Sequence, residues 1–142
     1  MTILLNAGVR FDGAKVVVID DSKVVRTAVK IILEKHGCQV ATTVNDFDPL
    51  LTVIEYQPDI ILIGNPSPDQ VMDHLDGYQT CASIKNDPAL KKIPVVIIAG
   101  EDELIERERT RVVGANYFMA KPFTGDELLD AVKACISDTK AS

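Results

Sequence analysis

The sequence predicts an α/β fold in which a five-stranded parallel sheet carries helices on both of its faces. Short apolar runs alternate five times with amphipathic segments, which is the pattern of strands joined by crossover helices. The apolar runs are continuous, as expected of parallel strands that are buried on both faces. A length of 142 residues suits one compact domain.

The apolar runs that we interpret as strands are residues 15–20, 38–44, 59–64, 93–100 and 115–120. Because crossovers between parallel strands are right-handed, a chain of this length favours the flavodoxin-like strand order 2-1-3-4-5. In such sheets, ligands bind at the carboxyl ends of the strands, beside the first strand. The side chains that follow each strand are therefore the candidates for function.

Five amphipathic segments predict the helices, at about residues 22–37, 46–56, 78–85, 102–113 and 125–136. The first helix has Ser22 as a favourable N-cap and Gly37 as a favourable C-cap. Its apolar side chains keep the spacing of one buried face. These side chains are Val25, Ala28, Val29, Ile32 and Leu33. The fourth helix is highly charged, which is typical of a solvated face.

The composition excludes several classes of function. A net charge of −6 argues against nucleic acid as a partner, since phosphate binding needs clustered Lys and Arg. The cysteines Cys38, Cys81 and Cys135 lack metal-ligand spacing, so we expect buried thiols in the reducing cytoplasm. The apolar runs are too short for membrane insertion. Residues 1–14 lack the basic start of a signal peptide, and we expect a leader segment there.

Charged side chains follow the first and the last predicted strand. Asp20 and Asp21 leave the first strand together, and adjacent carboxylates repel each other unless a cation balances them. Mg²⁺ prefers a few carboxylates with several waters, which makes this pair a candidate Mg²⁺ site. Lys121 is expected to face the same pocket, and the bond between Lys121 and Pro122 is a candidate cis peptide.

Three stretches of the chain resemble the receiver domain of two-component response regulators, the CheY-like superfamily. They are VVVIDDSKVVR, the turn Asp76-Gly77-Tyr78, and GANYFMAKPF. The resemblance covers about residues 15–138 and leaves 139–142 as a tail. DDSK together with DGYQTCASIKN is similar to the single-domain regulators of type IV pilus (twitching-motility) chemosensory systems.

The resemblance implies a role for each residue at the carboxyl edge. Asp21 would bind Mg²⁺ directly, Asp20 would act mainly through water, and Lys121 would contact the phosphoryl group. The acceptor aspartate would end the third strand. A Thr or Ser would end the fourth strand, and an aromatic residue of the fifth would report the switch. In this chain the last two positions hold Ala99, which cannot hydrogen-bond a phosphoryl oxygen, and Phe118.

The expected acceptor position holds Gly64, which has no nucleophile. Counting back seven residues from Asp76 reaches Asp69 instead, so the loop holds about five extra residues. An extended segment of that length spans ~15 Å, and Pro66 and Pro68 cannot continue a central strand. Asp69 therefore serves only if the loop folds back over the site. We predict a pseudo-receiver, and the alternative is an ordinary receiver that is phosphorylated on Asp69 with Mg²⁺.

We expect no enzymatic activity and a regulator that binds a protein partner. The resemblance implies a histidine kinase or a component of the pilus machinery, bound through helix 4, strand 5 and helix 5. The loop at 64–77 is the second candidate surface. Lys121 would form a salt bridge with Asp20 or Asp21 that holds one conformation, and residual Mg²⁺ binding is the alternative.

Two enzyme classes share this fold. A flavodoxin-like enzyme that binds FMN or a nucleotide needs a glycine-rich phosphate loop after the first strand, where DDSKVVRT has acid and no glycine. A metal-dependent phosphatase needs two aspartates in D-x-D spacing, which this strand end does not show. Both classes are therefore disfavoured against the receiver.

Overall fold

The computed structural model of the protein describes residues 8–44, 49–65, 77–100 and 103–140. Five parallel strands form one sheet in the order β2-β1-β3-β4-β5. The strands are β1 Lys15–Ile19, β2 Gln39–Thr43, β3 Ile60–Gly64, β4 Val95–Ala99 and β5 Tyr117–Ala120. The predicted fold class and strand order are confirmed.

The helices within the described ranges are α1 Lys23–Lys35, α2 Pro49–Tyr56, α3 Gly77–Lys85, α4 Glu103–Val112 and α5 Gly125–Lys140. The last helix continues to Lys140, beyond the predicted end at 136. The predicted start of the second helix, Asp46, lies outside the described residues. None of these helices is long and apolar enough to cross a membrane.

The ends of α1 follow from its sequence. The Ser22 side chain accepts a hydrogen bond of 3.2 Å from the Val25 amide and so satisfies one free donor of the first turn. His36 is the C-cap, and Gly37 follows it with a φ of 94°, which glycine adopts at little cost. The predicted C-cap glycine therefore stands one residue past the cap.

The core lies on both faces of the sheet because successive side chains of a strand point to opposite faces. Val16 and Val18 of β1 pack with the buried residues of α1 and α5. Val17 and Ile19 pack with those of α2 and α3 on the other face. Strands β3 and β4 are buried along their whole lengths, whereas the edge strands β2 and β5 are partly exposed.

The buried face of α1 is narrower than predicted. Val29 and Leu33 are buried, and Val25 and Ile32 are partly buried against the core. Ala28, which we predicted on this face, is exposed. Helical periodicity puts Ala28 at the edge of the stripe formed by the other four residues, where the helix surface turns towards solvent.

The described part of the predicted leader contacts the connection between α1 and β2. The Phe11 amide donates to the His36 carbonyl at 2.7 Å, and the Gly13 amide donates to the Gly37 carbonyl at 3.0 Å. The His36 ring nitrogen Nδ1 lies 2.7 Å from the Val9 carbonyl oxygen. Phe11 also packs against the core. Residues 9–13 therefore join the domain at the end of the sheet opposite to the candidate site.

Candidate functional site

The strand register brings the predicted site residues to one edge of the sheet. Ile19 of β1 pairs with Ile63 of β3, and Ala99 of β4 pairs with Ala120 of β5. The next residue after each of Ile19, Ile63 and Ala120 is a candidate residue, so Asp20, Gly64 and Lys121 emerge near one another. The site is thus built from three strands that are distant in sequence.

Asp20 is held firmly at the end of β1. Its side-chain oxygen Oδ1 accepts a hydrogen bond of 2.8 Å from the Ser22 amide, and the Arg26 guanidinium donates to its backbone carbonyl at 2.6 Å. Asp20 is only 3% exposed, whereas its neighbour Asp21 is exposed. The two adjacent carboxylates therefore have different environments, and only Asp20 reaches the interior.

Lys121 forms an ion pair with Asp20. Its Nζ atom lies 3.3 Å from Asp20 Oδ2, and its side chain is 25% exposed. The peptide bond between Lys121 and Pro122 is cis. Within the described ranges, no donor makes a well-aligned hydrogen bond to Asp20 Oδ2. The ammonium therefore balances the charge of this buried oxygen by proximity, at ion-pair distance.

Gly64 borders the Asp20 carboxylate directly. A Cβ atom built on Gly64 would overlap Asp20 Oδ2 and would lie 2.5 Å from Asp20 Cγ. Real Cβ atoms do not approach other heavy atoms so closely, and an interior packed like a crystal leaves little room to adjust. The Asp20 carboxylate thus fills the space that a side chain at position 64 would need.

Asn65 and Gly77, which flank the segment that contains Asp69, are in contact with each other. The Asn65 side chain accepts a hydrogen bond of 3.0 Å from the Gly77 amide. A Cβ atom on Gly77 would lie 3.1 Å from the Gly64 carbonyl oxygen, so α3 begins directly against the end of β3. Asp69 itself lies outside the described residues, and its role stays a prediction. Our sequence reasoning missed Asn65, although an Asn after a strand is typical of a turn.

Neither of the two predicted switch positions carries a hydroxyl group. Ala99 is buried at the end of β4, and its carbonyl accepts a hydrogen bond of 3.0 Å from the Lys121 amide. Phe118 is partly buried, and the Arg107 guanidinium lies 4.8 Å from its ring centroid. These positions therefore contribute packing and a cation–π contact.

A buried polar cluster that sequence reasoning missed joins α3 to α4. The Tyr78 hydroxyl donates to the Glu106 carboxylate, and the Thr110 hydroxyl donates to the Glu106 carbonyl at 2.7 Å. The Arg109 guanidinium lies 4.2 Å from the Tyr78 ring centroid. Burial and the bond to Glu106 raise the pKa of Tyr78 well above its ordinary value. Because the sequence of α4 is highly charged, it did not indicate that Glu106 and Thr110 are buried.

The resemblance to receiver domains implies a Mg²⁺ ion at this edge of the sheet. Among the described residues, no group of three or more His, Cys, Asp and Glu could hold a metal ion. Gly64 supplies no carboxylate, and the ammonium of Lys121 already lies beside Asp20 Oδ2. Since Mg²⁺ usually binds one or two carboxylates and keeps several waters, Asp20 and Asp21 are compatible with a Mg²⁺ ion, but the described residues add no third carboxylate to them.

Comparison with known proteins agrees with this architecture. The model of the response regulator receiver domain family matches residues 16–133. The chain is 44% identical to Protein PilG of Pseudomonas aeruginosa over 87% of each protein. It is 28% identical to Protein PilH of the same organism, over 87% of this chain and 98% of the relative.

A solved structure gives the same result for the fold. The receiver domain of a signal transduction histidine kinase from Syntrophus aciditrophicus superposes with a TM-score of 0.80 and 26% identity, over 92% of this chain and 95% of the other. The resemblance drawn from the DDSK, DGY and KPF motifs is confirmed by these matches. The chain belongs to the response regulator receiver domain family.

Proposed function

We propose that this chain is a pseudo-receiver, which regulates a protein partner without a phosphoacceptor at the end of β3. Membership of the receiver family places the chain in two-component or chemosensory signalling. One observation carries the finer proposal: Gly64 stands at the acceptor position, and the Asp20 carboxylate fills the space of the missing side chain. A glycine has no oxygen that could form an acyl phosphate.

The neighbouring residues support the same proposal. A phosphoryl group would need a hydroxyl donor at the end of β4, and Ala99 has none. It would also need the ammonium of Lys121, which is already paired with Asp20. Each departure alone could be tolerated, but together they remove the nucleophile, the hydrogen-bond donor and the free counter-charge.

The partner surface that we propose includes α4 and β5, with α5 beside them. Several large apolar side chains are exposed there. They are Leu104, Ile105, Val112 and Tyr117. An exposed ion pair of 2.5 Å between Glu108 and Arg111 lies on the same helix. Exposed apolar side chains among charges are typical of a protein-binding surface.

The partner class rests on family likeness. The likeness to PilG and PilH, with the DDSK and DGYQTCASIKN motifs, supports a partner in a type IV pilus chemosensory system, such as a histidine kinase or a component of the motility machinery. We place this activity in the cytoplasm and expect no enzymatic reaction. The three cysteines are buried and form no disulfide, which suits a reducing compartment.

One observation favours the second candidate, an ordinary receiver that uses Asp69. The hydrogen bond between the Gly77 amide and the Asn65 side chain brings together the two sides of the segment that carries Asp69. Because both sides lie against Gly64, a loop that returns towards the site costs less entropy than one with separated ends. In this candidate, Asp69 would take a phosphoryl group beside Lys121.

The test is intact mass spectrometry after incubation with acetyl phosphate and Mg²⁺. The pseudo-receiver predicts no added phosphoryl group in the wild type and no difference in Asp69→Ala. A phosphoryl group that is added to the wild type and lost in Asp69→Ala would replace our proposal by the second candidate. Charge reversal of Arg107 and Arg111 then tests the proposed partner surface. If binding to a partner kinase is the same before and after these changes, α4 is not part of that surface.

A further inference from the structure

The Asp20 carboxylate occupies a space that belongs to another residue's side chain. Asp20 Oδ2 lies where a Cβ atom on Gly64 would be, and Asp20 Cγ lies 2.5 Å from that point. Asp20 is nevertheless 3% exposed and well anchored, with its other oxygen bound to the Ser22 amide. The placement is therefore a stable packing arrangement of β1 against β3.

A buried carboxylate needs a counter-charge, because an unpaired ion in the interior is strongly disfavoured. Lys121 provides it at 3.3 Å from Asp20 Oδ2. The ammonium comes from the end of β5, two strands away from β3 in the sheet. Carboxylate and counter-ion are thus both supplied by the chain itself.

We propose that Asp20, Gly64 and Lys121 form one interdependent unit, in which the Asp20 carboxylate replaces the acceptor side chain and the Lys121 ammonium replaces the metal ion. A glycine is then required at position 64, because the Asp20 carboxylate leaves no room for a side chain there. Any side chain at position 64 displaces Asp20, and a displaced Asp20 leaves Lys121 without its partner. This inference rests on the proposed function and deepens it, since the unit holds the ends of β1, β3 and β5 in a single state.

The unit predicts that the effect of a side chain at position 64 depends on Asp20. Gly64→Ala should lower the urea midpoint of unfolding clearly, because the new Cβ overlaps the carboxylate. In Asp20→Ala, the same change should have little effect, since only the 3.2 Å contact with the Cβ of residue 20 remains. The matched control is Gly125→Ala, whose Cβ meets only Ile32 Cδ1 at 3.8 Å and should not lower the midpoint.

The double-mutant cycle decides this half of the proposal. If Gly64→Ala lowers the urea midpoint equally in the wild type and in Asp20→Ala, the proposal is overturned, because the effects of substitutions without shared contacts add independently. If Gly64→Ala does not fold by circular dichroism, recovery of the fold in the Asp20→Ala/Gly64→Ala variant supports the unit. Failure of both variants to fold, while Asp20→Ala folds, contradicts it.

A Mg²⁺ titration tests the role of the ammonium. Wild type, Lys121→Met and the exposed-site control Lys133→Met are followed by NMR or calorimetry. Removing the charge beside Asp20 should increase Mg²⁺ affinity by about tenfold or more, whereas Lys133→Met should leave it unchanged. No gain in Lys121→Met, or tight binding by the wild type, would overturn the view that Lys121 takes the place of the metal.

These outcomes are separate from the outcome of the proposed function. Phosphorylation of the wild type on Asp69 would refute the pseudo-receiver. The coupling between positions 20 and 64 would still be read from unfolding midpoints, without any phosphoryl donor. Absence of coupling, in turn, would refute the proposed unit of Asp20, Gly64 and Lys121. The proposed function would still stand, because Gly64 would still offer no nucleophile.

Discussion

The hydroxyl of Tyr78, in the first turn of α3, donates a hydrogen bond to the buried carboxylate of Glu106 in α4. Tyr78 follows the segment that carries Asp69, and α4 belongs to the proposed partner surface. The bond therefore connects the start of α3, which lies against the end of β3 at the candidate site, to the helix that would meet a partner. It offers a physical link between the two that does not require a hydroxyl at Ala99.

Replacing this tyrosine should destabilise the protein. Tyr78→Phe leaves the Glu106 carboxylate buried without that donor, and an unsatisfied buried group costs about 1–3 kcal/mol in the free energy of unfolding. Urea denaturation measures the loss. Tyr117→Phe is the control, because Tyr117 is an exposed tyrosine on β5. Equal stability of both variants would show that the bond contributes nothing.

Removing the ammonium of Lys121 should also destabilise the protein. Lys121→Met unpairs Asp20, and breaking a buried pair costs about 3–5 kcal/mol. Because Lys121 is partly exposed, water screens the pair, and we expect about 1–3 kcal/mol. Thermal and urea unfolding measure the change. Lys133→Met on the exposed side of α5 should have an effect near zero, and a similar loss there would argue against a specific role of the pair.

Restoring an aspartate at the acceptor position should fail to restore phosphorylation. In Gly64→Asp the new side chain competes with Asp20 for the same space, and two carboxylates share one ammonium. We expect a lower unfolding midpoint than in the wild type and no phosphoryl group from acetyl phosphate by intact mass. Efficient phosphorylation of Gly64→Asp with unchanged stability would contradict the packing described for Asp20.

The exposed apolar residues of α4 should matter for binding and little for stability. Leu104 is 82% exposed, so Leu104→Ser removes few contacts within the domain. We expect it to weaken binding to a cognate histidine kinase at least several-fold in surface plasmon resonance, with the unfolding midpoint unchanged. Leu51→Ser is the matched control, since Leu51 is an exposed leucine of α2 outside the proposed surface. Equal effects of both changes on binding would reject α4 as the surface.

The buried cysteines predict a loss of stability at alkaline pH. Burial, with a smaller effect of the Asp59 charge, raises the pKa of Cys38 from 9.0 to about 11, and burial raises the pKa of Cys81 to about 11. The folded state thus keeps protons that the unfolded chain releases. The stabilising contribution is complete below pH 9.0 and is lost as the pH rises towards about 11.

Urea midpoints measured at steps across this pH range test the prediction. The decline should be shallower in the Cys38→Ala/Cys81→Ala variant, which has no thiol to titrate at either position. Tyr78 also has a raised pKa and contributes at the upper end, so the comparison between the two proteins is the decisive quantity. Identical slopes in both would show that these thiols are not responsible.

Much of the fold and the membership of the site could be predicted from the sequence. The continuous apolar runs and the caps of α1 are local patterns, and local patterns determine strands, helices and their order. Parallel strands gather their carboxyl ends at one edge, so the positions of Asp20, Gly64 and Lys121 in the chain were enough to assign them to one place. The absence of an acceptor aspartate at Gly64 could also be predicted, because the resemblance to receiver domains defines which position should hold it.

The tertiary structure decided what these residues do to one another. That Asp20 fills the space beside Gly64 depends on the register of β1 and β3, which places two strand ends at contact distance. The burial of Glu106 in a charged helix depends on the approach of Tyr78 from α3. Such contacts join residues far apart in the chain, and side-chain direction and shared space arise only once the elements pack. The sequence by itself determined which residues reach the edge of the sheet, and it predicted that Lys121 pairs with Asp20 or Asp21. Packing determined that the partner is Asp20 and that its carboxylate fills the space beside Gly64.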